Sequence, residues 1–180
     1  MEINIYTDGS AIGNPWPWGR GAIIWRTSVS EQEIVLSGAQ KDTTNNVMEL
    51  TAVMRSLEEL VKLYNIWPLP QENSWAWFFE TPQQQHSILD ETIHIYTDST
   101  YVQKWITERL STRVRRDRRR SKWWKLIWNV VLRKYTHALL AYFSNLHIHR
   151  VKGHAGHEMN ERVDDLARGA AEKCANNFSI

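Results

Sequence analysis

The 180-residue chain holds one cysteine, Cys174, so no internal disulfide can form. A lone thiol offers no cysteine cluster for a soft metal ion, and it fits a reducing, cytoplasmic setting. No apolar run approaches the ~20 residues that cross a bilayer, which sets a membrane protein aside. No leader is expected, since Met1, Glu2, Ile3 and Asn4 already read as strand. Lys and Arg are absent from 64–92, a stretch with three prolines (68, 70, 82), four aromatics at 75, 77, 78 and 79, and glutamines at 83–85. That composition reads as an excursion from the fold, at about 65–90, whose Trp and Phe side chains need something to pack on.

Hydrophobic residues make up 42% of the chain, enough for one domain, 1–180, with a sizeable core. Charge is unevenly spread. Residues 109–125 carry nine basic residues and one acid, Asp117, a local charge of +8; the remainder, with 13 basic and 19 acidic residues, carries −6. A basic arm on an acidic body is suited to a polyanionic partner.

Alternation of apolar and polar residues predicts strands at 2–8, 21–27, 32–38, 92–98 and 145–151. The Gly- and Pro-rich stretch 9–21 reads as a turn. Leu50, Val53, Leu57 and Leu60 recur at helical spacing and predict a helix over 45–64. Further helices are expected from 99 or 100 onward, over 123–140 and over 160–174. The order β-β-β-α-β-α-α-β-α implies an α/β fold, a five-stranded mixed sheet flanked by helices.

The segment IYTD occurs twice, ending at Asp8 and at Asp98, each time at the end of a strand expected to be central. That edge is where ligands bind in open α/β sheets. Each acid has two readings. Asp98 could cap the next helix and Asp8 could hold a turn, or both could wall one site, where like charges need a cation or a proton between them. Glu49 weighs toward the site, because it lies against the apolar stripe of its helix, one turn from the start, where an unpartnered carboxylate is costly. On the last helix, Asp164 borders the buried face with Asn160 and Ala167, whereas Asp165 falls on the wet side within reach of Arg168. Four carboxylates without cysteine specify a hard cation, Mg²⁺ or Mn²⁺. His154 and His157 have the spacing of a zinc pair, but Gly153 and Gly156 place them in a loop.

TDGS (7–10), TTNNVMEL (43–50), TDS (97–99) and KGHAGHEMNERVDDLAR (152–168) together resemble type 1 ribonuclease H, in that family's order and over nearly the whole chain except about 65–90. The resemblance implies a ribonuclease H-like fold and an endonuclease that cuts the RNA strand of an RNA–DNA hybrid, leaving 5′-phosphate and 3′-hydroxyl ends. It implies Asp8, Glu49, Asp98 and Asp164 as ligands of two Mg²⁺ ions, with Mn²⁺ as a substitute. His154 corresponds to a loop histidine that assists proton transfer or product release. Asn14, Asn45 and Asn46 correspond to residues in the hybrid's minor groove, where 2′-hydroxyls mark RNA, and Thr44 to one that holds a DNA-strand phosphate. The arm at 109–125, with Arg113, Arg115, Arg116, Arg118 and Arg119, falls where the family carries a basic handle that grips the hybrid. Trp123 and Trp124 either support that handle, stack on sugar rings, or belong to the core of the adjoining helix.

Two departures stand out: Trp16, Pro17 and Trp18 replace a glycine-rich turn, and Asp42 stands where a basic residue is expected before TTNN. No separate N-terminal hybrid-binding module is expected, since the catalytic strand starts at residue 2, and the protein is expected to be a monomer. Three rivals remain at this level. They are a DNA endonuclease of the same broad fold, a non-enzymatic duplex binder, and a domain excised from a reverse transcriptase.

Overall fold

The computed structural model describes residues 2–11, 18–27, 33–40, 43–64, 91–110, 123–140, 142–153 and 156–176; at 11, 18, 21–27, 109–110 and 123–131 only the backbone is described. The excursion at 65–90, most of the basic arm, Asn14 and His154 lie outside these residues.

Three strands lead: β1 (Glu2–Ala11), β2 (Trp18–Thr27) and β3 (Glu33–Gln40). Helix α1 (Asn45–Leu63) follows, then β4 (Thr92–Thr97), α2 (Thr100–Leu110), α3 (Trp123–Leu140), β5 (Leu146–Arg150) and α4 (Glu158–Asn176). The order is the expected one. The strands form one sheet, β3-β2-β1-β4-β5, with antiparallel pairing among the first three and parallel pairing from β1 to β4 and β4 to β5. The IYTD segments are therefore neighbours in register, Tyr6 beside Tyr96 and Thr7 beside Thr97.

One expectation needs correction. Residues 9–21 are not all turn: the hairpin ladder continues through Gly9 opposite Arg20, Ser10 opposite Gly19 and Ala11 opposite Trp18. Glycine discourages a strand but leaves the ladder intact when a partner strand supplies the hydrogen bonds.

Alternation along β1 decides the layers. Ile3, Ile5 and Thr7 point to one face, and with Ile93 and Ile95 they are fully buried beneath α1, α2 and α3. Leu50, Val53, Leu57 and Leu60 form the α1 stripe, joined by Val102 and Ile106 from α2 and Leu139 from α3, all at most 1% exposed. Each such aliphatic side chain contributes roughly 1.5–3 kcal/mol by burial. Helix α4 lies on the opposite face, over β1, β2 and β3. Its approach depends on small residues. A Cβ at Gly19 would stand 1.7 Å from the carbonyl oxygen of Ala167, so α4 seats its backbone directly on β2. This contact fixes the height of Asp164, three residues before Ala167.

Candidate active site

Each acid reaches the strand ends from a different layer. Asp8 comes from β1, Asp98 from just past β4, Glu49 from the first turns of α1 and Asp164 from α4. Carboxylate oxygens of Asp8, Glu49 and Asp98 all lie within 4.8 Å of one another. Asp164 lines the same cavity, close enough for its charge to act on Asp8. All four line one cavity of about 690 Å³ together with Asn45 and Asn46.

Local chemistry explains why these groups converge. The helix after β4 is capped by Ser99, not Asp98: Ser99 Oγ accepts from Val102 N–H at 3.4 Å and the Ser99 carbonyl from Gln103 N–H at 3.0 Å. Asp98 therefore faces the cavity. Glu49 is brought in by Gly9. A Cβ there would lie 2.7 Å from the Glu49 backbone nitrogen, so only glycine lets α1 approach β1 this closely. Beside β4, Val151 N–H donates to the Thr97 carbonyl at 3.0 Å, which holds the start of the 151–157 loop against the same edge.

Electrostatics of the cluster are unfavourable without a cation. Burial, then the charges of Asp98 and Asp164, push the Asp8 carboxyl up from 3.8 to about 7. Burial, then Asp8 and Asp98, push Glu49 up from 4.5 to about 9. A hydrogen bond from the Gly9 backbone opposes both rises without cancelling them. Glu49 is 4% exposed, and its Oε2 is buried with no hydrogen-bond partner among the described residues. An unpartnered buried carboxylate oxygen costs on the order of 1–3 kcal/mol. An oxygen-only donor set of this kind suits a hard divalent cation, which supplies the missing partner and removes the repulsion. The residues fit such an ion.

Asp164 and Asp165 divide as their helix faces require. Asp164 is half-buried and borders the cavity, whereas Asp165 is exposed. Arg168 donates to both, to Asp164 Oδ2 at 3.2 Å and Asp165 Oδ1 at 2.5 Å.

The polar residues are distributed unevenly. Asn45 and Asn46 line the cavity. Thr44 does not; it is the N-cap of α1, with its carbonyl accepting from Val47 and Met48 N–H at 3.0 and 3.1 Å. Asn14, His154, Arg113, Arg115, Arg116, Arg118 and Arg119 lie outside the described residues, as do the side chains of Trp123 and Trp124. His157 is exposed and sits 5.7 Å from the Tyr6 ring, apart from the carboxylates. Sequence reasoning gave no site role to Gly9, Ser10, Ser99, Thr100, Tyr101 and Asn160, which also line the cavity. Asn160 was legible as the residue one helical turn before Asp164. Tyr101 lies on the helix expected from 99 or 100 onward; its ring is half-buried and its hydroxyl accepts from Arg133 Nε at 3.0 Å and Nη2 at 2.7 Å.

Comparison with known proteins places this arrangement. The RNase H family model matches residues 1–67 and 79–172, and the break at 68–78 falls inside the stretch that lacks Lys and Arg. A Ribonuclease H of Legionella pneumophila (strain Corby) is 35% identical over 173 residues, covering 96% of this chain and 99% of the relative. Among solved structures, the N-terminal RNase H domain of a Mycobacterium tuberculosis protein superposes with a TM-score of 0.63 at 23% identity, covering 99% of both chains. LC11-RNase H1, solved in complex with an RNA/DNA hybrid, gives a TM-score of 0.60 at 23% identity, covering 95% of this chain and 97% of that one. With four acids meeting at the ends of two in-register IYTD strands and a family match running through each of them, the chain belongs to the ribonuclease H family.

Proposed function

We propose that this protein is an endoribonuclease that hydrolyses the RNA strand of RNA–DNA hybrids with the help of two divalent ions. The observation that carries this reading is the Asp8, Glu49 and Asp98 cluster, three carboxylates within 4.8 Å of one another, with a buried Glu49 oxygen that has no hydrogen-bond partner among the described residues. A pure binding module gains nothing from concentrating negative charge where a polyanion must dock. The match of the chain to RNase H over most of its length supports the hybrid as substrate.

In this reading Asp8, Glu49, Asp98 and Asp164 hold the ions, Mg²⁺ or Mn²⁺. Bound there, such ions lower the pKa of a water and stabilise the leaving oxygen of a phosphodiester, which leaves 5′-phosphate and 3′-hydroxyl ends. Asn45 and Asn46 present amides at the cavity rim, where they hydrogen-bond 2′-hydroxyls and bases in the minor groove. Thr44, at the head of the same helix, holds a phosphate of the uncut strand, and Asn14 contributes to minor-groove recognition. His154 moves a proton at the cleaved bond or speeds product release. The basic arm with Arg113, Arg115, Arg116, Arg118 and Arg119 supplies most of the affinity by displacing counterions. The stretch at about 65–90 is an insertion into this catalytic domain, the protein acts as a monomer, and its location is cytoplasmic.

The direct test is Asp98→Asn. It removes one ligand and one negative charge while leaving the Ser99 cap in place. Cleavage of hybrid should fall by orders of magnitude, and hybrid affinity should hold or rise. Retained cleavage would remove Asp98, and with it the cluster, from the mechanism.

A further inference from the structure

A second group of potential ligands stands on the sheet face opposite α1, away from the carboxylates. His147 and His149 are alternate residues of β5 and so share a face; His94 on β4 pairs directly with His147. Ring centroids of His94 lie 5.3 Å from His147 and 5.0 Å from His149, and those of His147 and His149 lie 6.5 Å apart. Three imidazoles on one tetrahedral ion, with metal–nitrogen bonds of about 2.1 Å, place their centroids about 5 Å apart. Two of the three spacings already meet that value.

The outer hydrogen bonds agree. His94 directs one nitrogen, Nε2, at Glu2 Oε1, 3.2 Å away, and the other, Nδ1, at His149 Nε2, 2.8 Å away. His147 Nε2 lies 2.9 Å from Asn145 Oδ1, which leaves its Nδ1 for a ligand. A metal-bound imidazole characteristically gives its other N–H to a carboxylate or carbonyl oxygen, which fixes the tautomer. Nitrogens sharing an ion sit about 3.4 Å apart, so His94 and His149 need to part by about half an ångström, and His147 to turn inward. His147 is exposed, so no core packing opposes that turn, and the exposed Asn145 side chain can follow it.

We propose that His94, His147 and His149 form a site for a borderline transition-metal ion, Zn²⁺ or Ni²⁺, separate from the oxygen-lined catalytic cluster, with Glu2 and Asn145 orienting two of the rings. The hard ions that suit the carboxylates do not compete here, because imidazole prefers softer cations. An ion at this position ties β5 to β4, the two strands whose ends carry the 151–157 loop and Asp98.

Calorimetric titration of Zn²⁺ into the protein in excess Mg²⁺ tests this. The wild type should bind one Zn²⁺, with affinity reduced at least tenfold in His94→Gln, His147→Gln and His149→Gln and unchanged in Asp98→Asn. His147→Gln keeps the test clean, because this exposed ring contributes nothing to the core. No Zn²⁺ binding by the wild type, or equal binding by His147→Gln, would overturn the three-histidine site. Loss of binding in Asp98→Asn alone would place the ion at the catalytic cluster instead.

Discussion

Replacing Asp8 by Asn should stabilise the protein when divalent ions are removed, although it removes an acid from the catalytic cluster. In the fold the Asp8 carboxyl titrates at about 7, against 3.8 for an unstrained aspartate. Between those two values the unfolded chain has released a proton that the folded chain still holds, so stability falls as pH rises through this window and levels off above about 7. At about 1.36 kcal/mol per tenfold, the Asp8 contribution worsens by about 2.5 kcal/mol between pH 5 and pH 8. Asparagine carries no such charge. The advantage of Asp8→Asn over the wild type should therefore grow by about 2.5 kcal/mol across that range. For a chain of this length that corresponds to roughly 5–10 °C in Tm. Urea and thermal melts in EDTA at pH 5, 6, 7 and 8 measure it. Saturating Mg²⁺ should stabilise the wild type and leave the variant nearly unmoved. Parallel stability curves for the two proteins in EDTA would refute the argument, since the carboxylates would then not be repelling one another.

Other perturbations separate the parts of the account. Converting Arg115, Arg116, Arg118 and Arg119 together to Ala should weaken hybrid binding and reduce the slope of log K against log salt by up to about 3.6, at about 0.9 per lost phosphate contact; an unchanged slope removes the arm from the interface. Gly9→Ala sets a methyl 2.7 Å from the Glu49 nitrogen, so it should cost about 1–3 kcal/mol in melts and lower cleavage by shifting Glu49; wild-type Tm and activity would show that α1 tolerates the displacement. Arg168→Gln withdraws a cation that shares Asp164 with Asp165. The Mg²⁺ concentration for half-maximal cleavage should fall about two- to fivefold, the worth of an exposed ion pair, and a higher requirement would mean that Arg168 holds Asp164 in its ligating position.

Much of this was legible because strand and helix periods assign faces independently of the rest of the fold. Period two placed Ile3 and Ile5 opposite Tyr6 and Asp8, and period 3.6 put Glu49 against the stripe of α1 and separated Asp164 from Asp165. Other features depend on partners far along the chain. The extension of β1 to Ala11 follows from hairpin pairing with Trp18, Gly19 and Arg20, which the glycines of that segment disguised. Ser99 took the cap that Asp98 could have held, a choice set by which side chain the turn aims at Val102. The histidine face was invisible for the same reason. His147 and His149 read as ordinary outward strand positions until the β4–β5 register brought His94 beside them.

The central claim is that the clustered acids hold the ions that cut RNA paired to DNA. It is met most directly by presenting one labelled RNA strand free, paired to RNA and paired to DNA, with Mg²⁺ or with EDTA. Internal cuts are expected in the RNA–DNA hybrid alone, with 5′-phosphate ends, and only when Mg²⁺ is present. Cleavage of all three substrates, or cleavage that persists in EDTA, would contradict it.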